Sequence, residues 1–200
     1  VEDSTVEEAH RRFDFRAEQI TTSVAGRMSA YEQILLGGAA LFKSSPTPVS
    51  REMWRTYVES LKIDENYPGV QGVGFSLQIS PEEKNDHVRR LREEGFPDYT
   101  IRPEGVRDVY TSIIYLEPFS GRNLRAFGYD MFSEEVRRTA MTRARDSDKP
   151  SISGKVVLVQ ETDQNRQSGF LIYVPVYKKG LPVRTPEERQ SALLGYAYSP

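Results

Sequence analysis

Apolar or small residues recur at Val6, Ala9, Phe13, Ala17, Ile20, Val24, Met28, Tyr31, Leu35, Ala39 and Phe42, in steps of 3, 4 and 4 that repeat along the chain. An eleven-residue repeat, about 3.67 residues per turn, keeps one stripe of a straight or slightly right-handed helix apolar. Ser4 and Glu7 have the spacing of a capping box, in which two free backbone N–H groups at a helix start are satisfied. The pattern predicts a continuous helix over roughly residues 4–43, closed by Ser44-Ser45-Pro46-Thr47-Pro48. Such a helix is about 60 Å long, longer than a small domain is wide. Part of it must project from the body or pair with a second copy. Gly costs a helix interior about 1 kcal/mol relative to Ala, so Gly37-Gly38 mark close packing or a fraying end.

A second helix is predicted from Ser50, with Met53, Trp54, Tyr57, Val58 and Leu61 on one face. Val73, Phe75, Leu77 and Ile79 then alternate with Gly74, Ser76 and Gln78, the pattern of a half-buried strand. Ser80-Pro81-Glu82-Glu83 opens a helix ending near Gly95, and Tyr99 to Pro103 reads as a short strand. Tyr110 to Leu116 is a strand, and Ser133 caps a helix running to about Asp146. Two further strands, Ile152 to Gln160 and Gly169 to Tyr177, flank the polar turn Glu161 to Gln167. Phe170 to Tyr177 is apolar on both faces and reads as a central strand, with Pro175 marking a bulge or an end. Thr185-Pro186-Glu187-Glu188 opens a short helix, and Leu194 to Tyr198 is a last strand. Short antiparallel strands with helices between them indicate an α+β fold.

Composition narrows the function by exclusion. The chain has 200 residues, 38% hydrophobic and 28% charged, with a net charge of −2, and offers no basic face to nucleic acid or membrane. It has no cysteine, which removes disulfides, zinc-thiolate sites and thiol catalysis. No apolar run approaches the ~18 residues of a membrane span, and the start Val-Glu-Asp-Ser reads as a piece of a longer protein. The two histidines, His10 and His87, fall on predicted polar helix faces and read as solvated. No His or carboxylate spacing matches a metal site, and no nucleophile has a base to activate it. The pairs Glu82/Glu83, Glu134/Glu135 and Glu187/Glu188 lie in first helical turns, where they complement the helix dipole. An enzyme is disfavoured, and neither a cofactor nor a metal is called for.

What stands out is aromatic. Tyr110, Tyr115, Phe119, Phe127, Tyr129, Phe132, Phe170, Tyr173 and Tyr177 fall in one strand-rich region. Buried tyrosines need partners for their hydroxyls, and several on neighbouring strands can line an apolar pocket with polar handles. Asp130 sits among Phe127, Tyr129, Met131 and Phe132, either as a helix cap or as a pocket group.

The stretch GYDMFSEEVRRTAMTRARDSDKPSISGKVVLV from Gly128 to Val159 resembles the CHASE domain, the extracellular sensory domain of bacterial and plant receptors with cyclase or kinase output. YLEPFSGRN from Tyr115, FLIYVPVYKKG from Phe170 and TPEERQSALLGYAYSP from Thr185 extend the resemblance over roughly residues 50–200. The resemblance implies a long stalk helix (residues 1–44) followed by two PAS-like antiparallel-sheet subdomains in 45–200, one distal at about 70–160 and one proximal at about 161–200 plus helix ends. It places a small-molecule ligand in the distal subdomain. Asp130 matches the pocket Asp that contacts adenine in plant members, and Ile152 matches a pocket Leu by spacing. The strand with Ile113 and Tyr115 and the strand with Tyr173 correspond to pocket walls, and Phe127 belongs to the same set. Tyr173 stands where the plant pattern has Thr, which reshapes the pocket and argues against cytokinin itself. The implied protein is a periplasmic or extracellular part of a cell-membrane receptor, anchored by flanking spans and paired as a homodimer through the first helix. The alternative is a ligand-free interaction or dimerisation module of such a receptor.

Overall fold

Five strands, all antiparallel to their neighbours, build the sheet around which everything else is placed. The computed structural model describes residues 2–159 and 168–200, so the polar turn at 161–167 lies outside the described residues. In chain order these strands are β1 (Val73–Ile79), β2 (Tyr110–Glu117), β3 (Ser151–Ile152), β6 (Ile172–Tyr177) and β7 (Leu193–Ser199). They lie in the order β2-β1-β7-β6-β3, while β4 (Val156–Val157) and β5 (Ser168–Gly169) form a separate two-stranded ribbon. The sheet thus draws on both stretches assigned above to distal and proximal subdomains. β1 pairs with β7, and β6 pairs with β3, so the described strands share one hydrogen-bonded sheet across the expected boundary near residue 160.

Helices cover both faces. α1 (Glu2–Ser44) is continuous through the predicted span, starts ahead of Ser4, and packs on the sheet only by its C-terminal part. The side chain of Ser4, and with it the predicted cap, lies outside the described residues. Tyr31, Ile34 and Leu35 are buried there against Phe75, Ile172, Val174 and Ala197, joined by Trp54 and Val58 of α2 (Arg51–Leu61). Ser50 caps α2, its hydroxyl accepting from the Met53 amide at 3.2 Å. Gly37 and Gly38 are close-packing positions: a Cβ on Gly38 would stand 2.9 Å from the Trp54 ring, and one on Gly37 would meet the Tyr57 hydroxyl. Trp54 is fully buried and donates Nε1–H to the Val73 carbonyl at 3.2 Å. A one-turn helix, α3 (Ile63–Asn66), follows α2.

α4 (Lys84–Glu93) links β1 to β2 on this same side. Ser80 and Glu83 make the reciprocal bonds expected of a cap, but within a turn that precedes the helix. On the opposite face lies α5 (Glu135–Ser147), with Ala140, Met141 and Ala144 against Tyr173, Tyr196 and Tyr198. Its cap is Glu134, one residue beyond the predicted Ser133. α6 (Pro186–Ala192) joins β6 to β7 behind the Thr185–Glu188 capping box.

Several expectations need correction. Gly169 to Tyr177 is broken at 170–171, its first residue lying in β5 of the ribbon and the rest in β6 of the main sheet. Tyr99 to Pro103 is not a strand: Tyr99 and Ile101 are buried, but the backbone makes only an isolated bridge from Arg102 to Tyr129. Ile152 to Gln160 is interrupted at 153–155, dividing into β3 and β4, which belong to different sheets. His87 is not solvated but buried, its Nε2 lying 2.8 Å from the Tyr99 hydroxyl.

Candidate functional site

Asp130 is fully buried where the segment after β2 turns back across the start of that strand. It is the N-cap of a short 3-10 helix, Met131–Ser133. Its Oδ1 accepts from the Thr111 amide at 2.8 Å, the Phe132 amide at 3.1 Å and the Thr111 hydroxyl at 3.3 Å. Oδ2 makes no hydrogen bond; Arg107 Nη1, itself buried without one, lies 3.5 Å away. Burial raises the Asp130 carboxyl above the usual range, against the pull of the Thr111 amide, Arg107 and the Phe132 amide. Asp130 is a cap whose second oxygen has no hydrogen bond and faces Arg107 in an ion pair.

The α5-facing side of the sheet carries a second concentration of polar atoms. Strand register sets Leu116, Gly74, Tyr198, Tyr173 and Ser151 side by side, with Ile113, Ser76, Tyr196 and Pro175 in the next row. Gly74 allows this arrangement, since a Cβ there would stand 2.4 Å from the Tyr198 ring. Tyr173 lies 6.2 Å from Tyr196 and 6.4 Å from Tyr198 between ring centroids. The hydroxyls of Ser76, Tyr173, Tyr196 and Tyr198 are all buried without a hydrogen-bond partner. Burial pushes all three phenols far above their usual range, so they stay neutral donors. Arg137 of α5, also buried, is near enough to Tyr173 and Tyr198 to oppose that rise. Its guanidinium is held by Glu134 at 3.2 Å and by the Val157 carbonyl at 2.8 Å.

The residues singled out in the sequence divide between the two faces. Ile113 and Tyr173 lie in the core under α5. Ile113 also reaches the Asp130 segment through backbone bonds to Gly128 and Tyr129. Ile152, on the edge strand β3, packs against the α1-side core. Tyr115 and Phe127 lie beside Arg51, whose guanidinium carbon is 5.2 Å and 5.3 Å from their ring centroids. Tyr115 donates its hydroxyl to the Val49 carbonyl at 2.9 Å. Sequence reasoning passed over Ser76, Tyr196, Tyr198 and Arg137. The two-residue spacing of Tyr196 and Tyr198 in a strand was the available signal, because such residues share a face.

The family model described as the CHASE domain matches residues 47–200, everything from the end of α1 onward. The chain belongs to the CHASE domain family. It is an extracytoplasmic sensor domain. Among solved structures, this CHASE domain is similar to the periplasmic sensory domain of the Campylobacter jejuni chemoreceptor Tlp1, at 12% identity with a TM-score of 0.45. The match covers 92% of this chain and 55% of that one, so the chain spans about half that structure's length. A search of curated proteins finds no match. Among the described residues, no helix is long and apolar enough to cross a membrane, and no group of His, Cys, Asp or Glu could hold a metal ion.

Proposed function

We propose that this CHASE domain senses a small molecule held under α5, against the tyrosine-bearing face of the sheet, with Asp130 Oδ2 as an additional acceptor. The observation that carries the reading is the group of four buried hydroxyls, on Ser76, Tyr173, Tyr196 and Tyr198, that the protein itself leaves unpaired. An unpaired buried hydroxyl costs about 1–3 kcal/mol, and four together on one sheet face are a poor way to build a core. The cavities of 210–650 Å³ found among the described residues are lined by other side chains, so a ligand with several polar edges reaches these hydroxyls by parting α5 from the sheet. Ile113 and Tyr173 belong to this site as walls. Ile152, at the end of the same sheet, and Tyr115 and Phe127, on its other side, support it from behind.

Sensing requires that the ligand bind two states of the domain with different affinity. α1 packs on β6 and β7, the strands that carry the three tyrosines, so a shift of those strands reaches the stalk helix directly. We assign the transmission of the signal toward the membrane to α1 and β7, and the pairing of two copies to α1.

Thermal shift with adenine derivatives, amino acids and small organic acids tests the site. A ligand at about a hundred times its Kd adds ~2.7 kcal/mol of apparent stability. Tyr173→Phe and Tyr198→Phe each remove one unpaired hydroxyl, so the empty variants should melt at or above the wild-type midpoint while the ligand shift shrinks. Asp130→Asn keeps the capping oxygen and should also reduce the shift. Asp130→Ala loses the cap and should lower the empty domain by ~1 kcal/mol or more. Identical ligand shifts in wild type and in all of these variants would remove the assignment.

A further inference from the structure

The other face of the sheet holds a cavity of about 650 Å³, open between the end of α1, α4 and the strands β1, β2 and β7. Its floor is apolar, made by Phe75, Leu77, Tyr115 and Leu194, and its volume is in the range of small-molecule sites, ~300–1,000 Å³. Its charge is one-sided. Arg51, Arg90, Lys178 and Lys179 line it against a single carboxylate, Glu94, in a chain whose net charge is −2.

The four cations are not equally committed. Arg51 is anchored by Glu94 at 3.0 Å and by the Ile114 carbonyl at 2.7 Å, leaving Nη2 buried and without a partner. Rings of Phe96, Tyr115, Phe127 and Phe119 surround its guanidinium at 4.4–5.8 Å, which fixes it in place. Lys179 donates to the Ser45 carbonyl just past α1. Arg90 and Lys178 are exposed on the rim; Glu83 feels both, yet no carboxylate among the described residues pairs with either.

We propose that this cavity is a second ligand site, separate from the one under α5, for a small organic carboxylate with an aromatic or branched apolar body. The body lies on Leu77, Tyr115 and Leu194, the half-buried members of the floor, and the carboxylate meets Arg90 and Lys178 at the rim. A neutral apolar molecule would leave the cationic rim unpaired, and a bare inorganic anion would leave the floor uncovered. Because the walls include Phe42 of α1 and the connection to α2, occupancy ties the end of the stalk helix to the sheet. The inference does not depend on the tyrosine site.

The test uses the full 200-residue chain with 3-phenylpropionate, its neutral amide and inorganic phosphate, each titrated by calorimetry. The carboxylate should bind, weakening as salt is raised, while the amide and phosphate should not. Arg90→Gln combined with Lys178→Gln should weaken the carboxylate by about tenfold or more, with the unliganded melting midpoint unchanged because both side chains are exposed. Should the double variant prove unstable, Lys178→Gln alone is expected to weaken binding several-fold. Tyr173→Phe should leave carboxylate binding intact even where it abolishes binding under α5. Absence of carboxylate binding, equal binding of amide or phosphate, or undiminished binding by the rim variants would overturn the proposal. Loss of carboxylate binding in Tyr173→Phe would overturn it as well, by placing that ligand under α5.

Discussion

His87 hydrogen-bonds through Nε2 to the Tyr99 hydroxyl, which in turn lies 2.7 Å from the Ser112 hydroxyl, in a buried polar chain beneath α4. Burial lowers its pKa to about 4, Arg90 pushes the same way, and Glu83 opposes them. A folded value below the unfolded one, ~6.5, means the unfolded chain takes up the proton first. The neutral ring's contribution is therefore complete above about pH 6.5 and is lost as pH falls toward 4, by up to about 3 kcal/mol. Urea titrations at pH 7, 5.5 and 4.5 should show His87→Gln losing less stability than wild type across that window. Parallel loss in the two proteins would contradict it. The burial of His87 was legible in part, since it stands four residues before Leu91 and so shares its face. Reading polarity alone hid this. Asp130 shows the opposite limit. Its neighbours in sequence left cap and pocket group equally open, because the distinction lies in Thr111 and Arg107, which only the turn of the chain brings to its carboxylate.

Elements with a local cause were read closely. The periodicity of α1 and the Thr185–Glu188 capping box each depend on residues within a few positions of one another, whereas the alternation in β1 read as a half-buried strand and missed the burial of Gly74 and Ser76 on its other face. Tyr99 to Pro103 failed for a physical reason: its alternation reports burial of Tyr99 and Ile101, and burial does not supply a neighbouring strand to complete a ladder. The Gly37-Gly38 pair left close packing and a fraying end both open, and the Trp54 and Tyr57 rings that press on it decide for close packing. Replacing Gly38 by Ala gains about 1 kcal/mol of helix propensity but drives a methyl into the Trp54 ring, and overpacking a core costs ~1–3 kcal/mol. The net should be destabilising by up to about 2 kcal/mol, lowering the melting midpoint by roughly 2–4 °C per kcal/mol in a chain of this size. Gly26→Ala is the control, because nothing lies within 4 Å of its added methyl. It should not lower the midpoint, and an equal drop in both variants would mean that Trp54 contact is not the reason.

At the scale of the whole molecule, the α+β class and the long helix followed from pattern, while the pairing of β1 with β7 did not, since nothing local announces a partner from the far end of the domain. The eleven-residue stripe of α1 ties that architecture to association. Its later members, Tyr31 and Leu35, are buried on the sheet, whereas its earlier members, Val6, Phe13, Ile20 and Val24, continue the same line into solvent, with Phe13 70% and Ile20 64% exposed. Burying a large apolar side chain is worth about 1.5–3 kcal/mol, so four of them on each of two helices give a strong reason to pair. A parallel contact would also set two sensor bodies side by side. Sedimentation of the chain should therefore show a monomer–dimer equilibrium that rises with concentration. Phe13→Glu with Ile20→Glu should abolish the dimer and leave the domain's melting midpoint in dilute solution unchanged, because neither side chain touches the sheet core. Monomers at every concentration, together with a crystal showing no parallel α1 contact, would rule out pairing through this stripe.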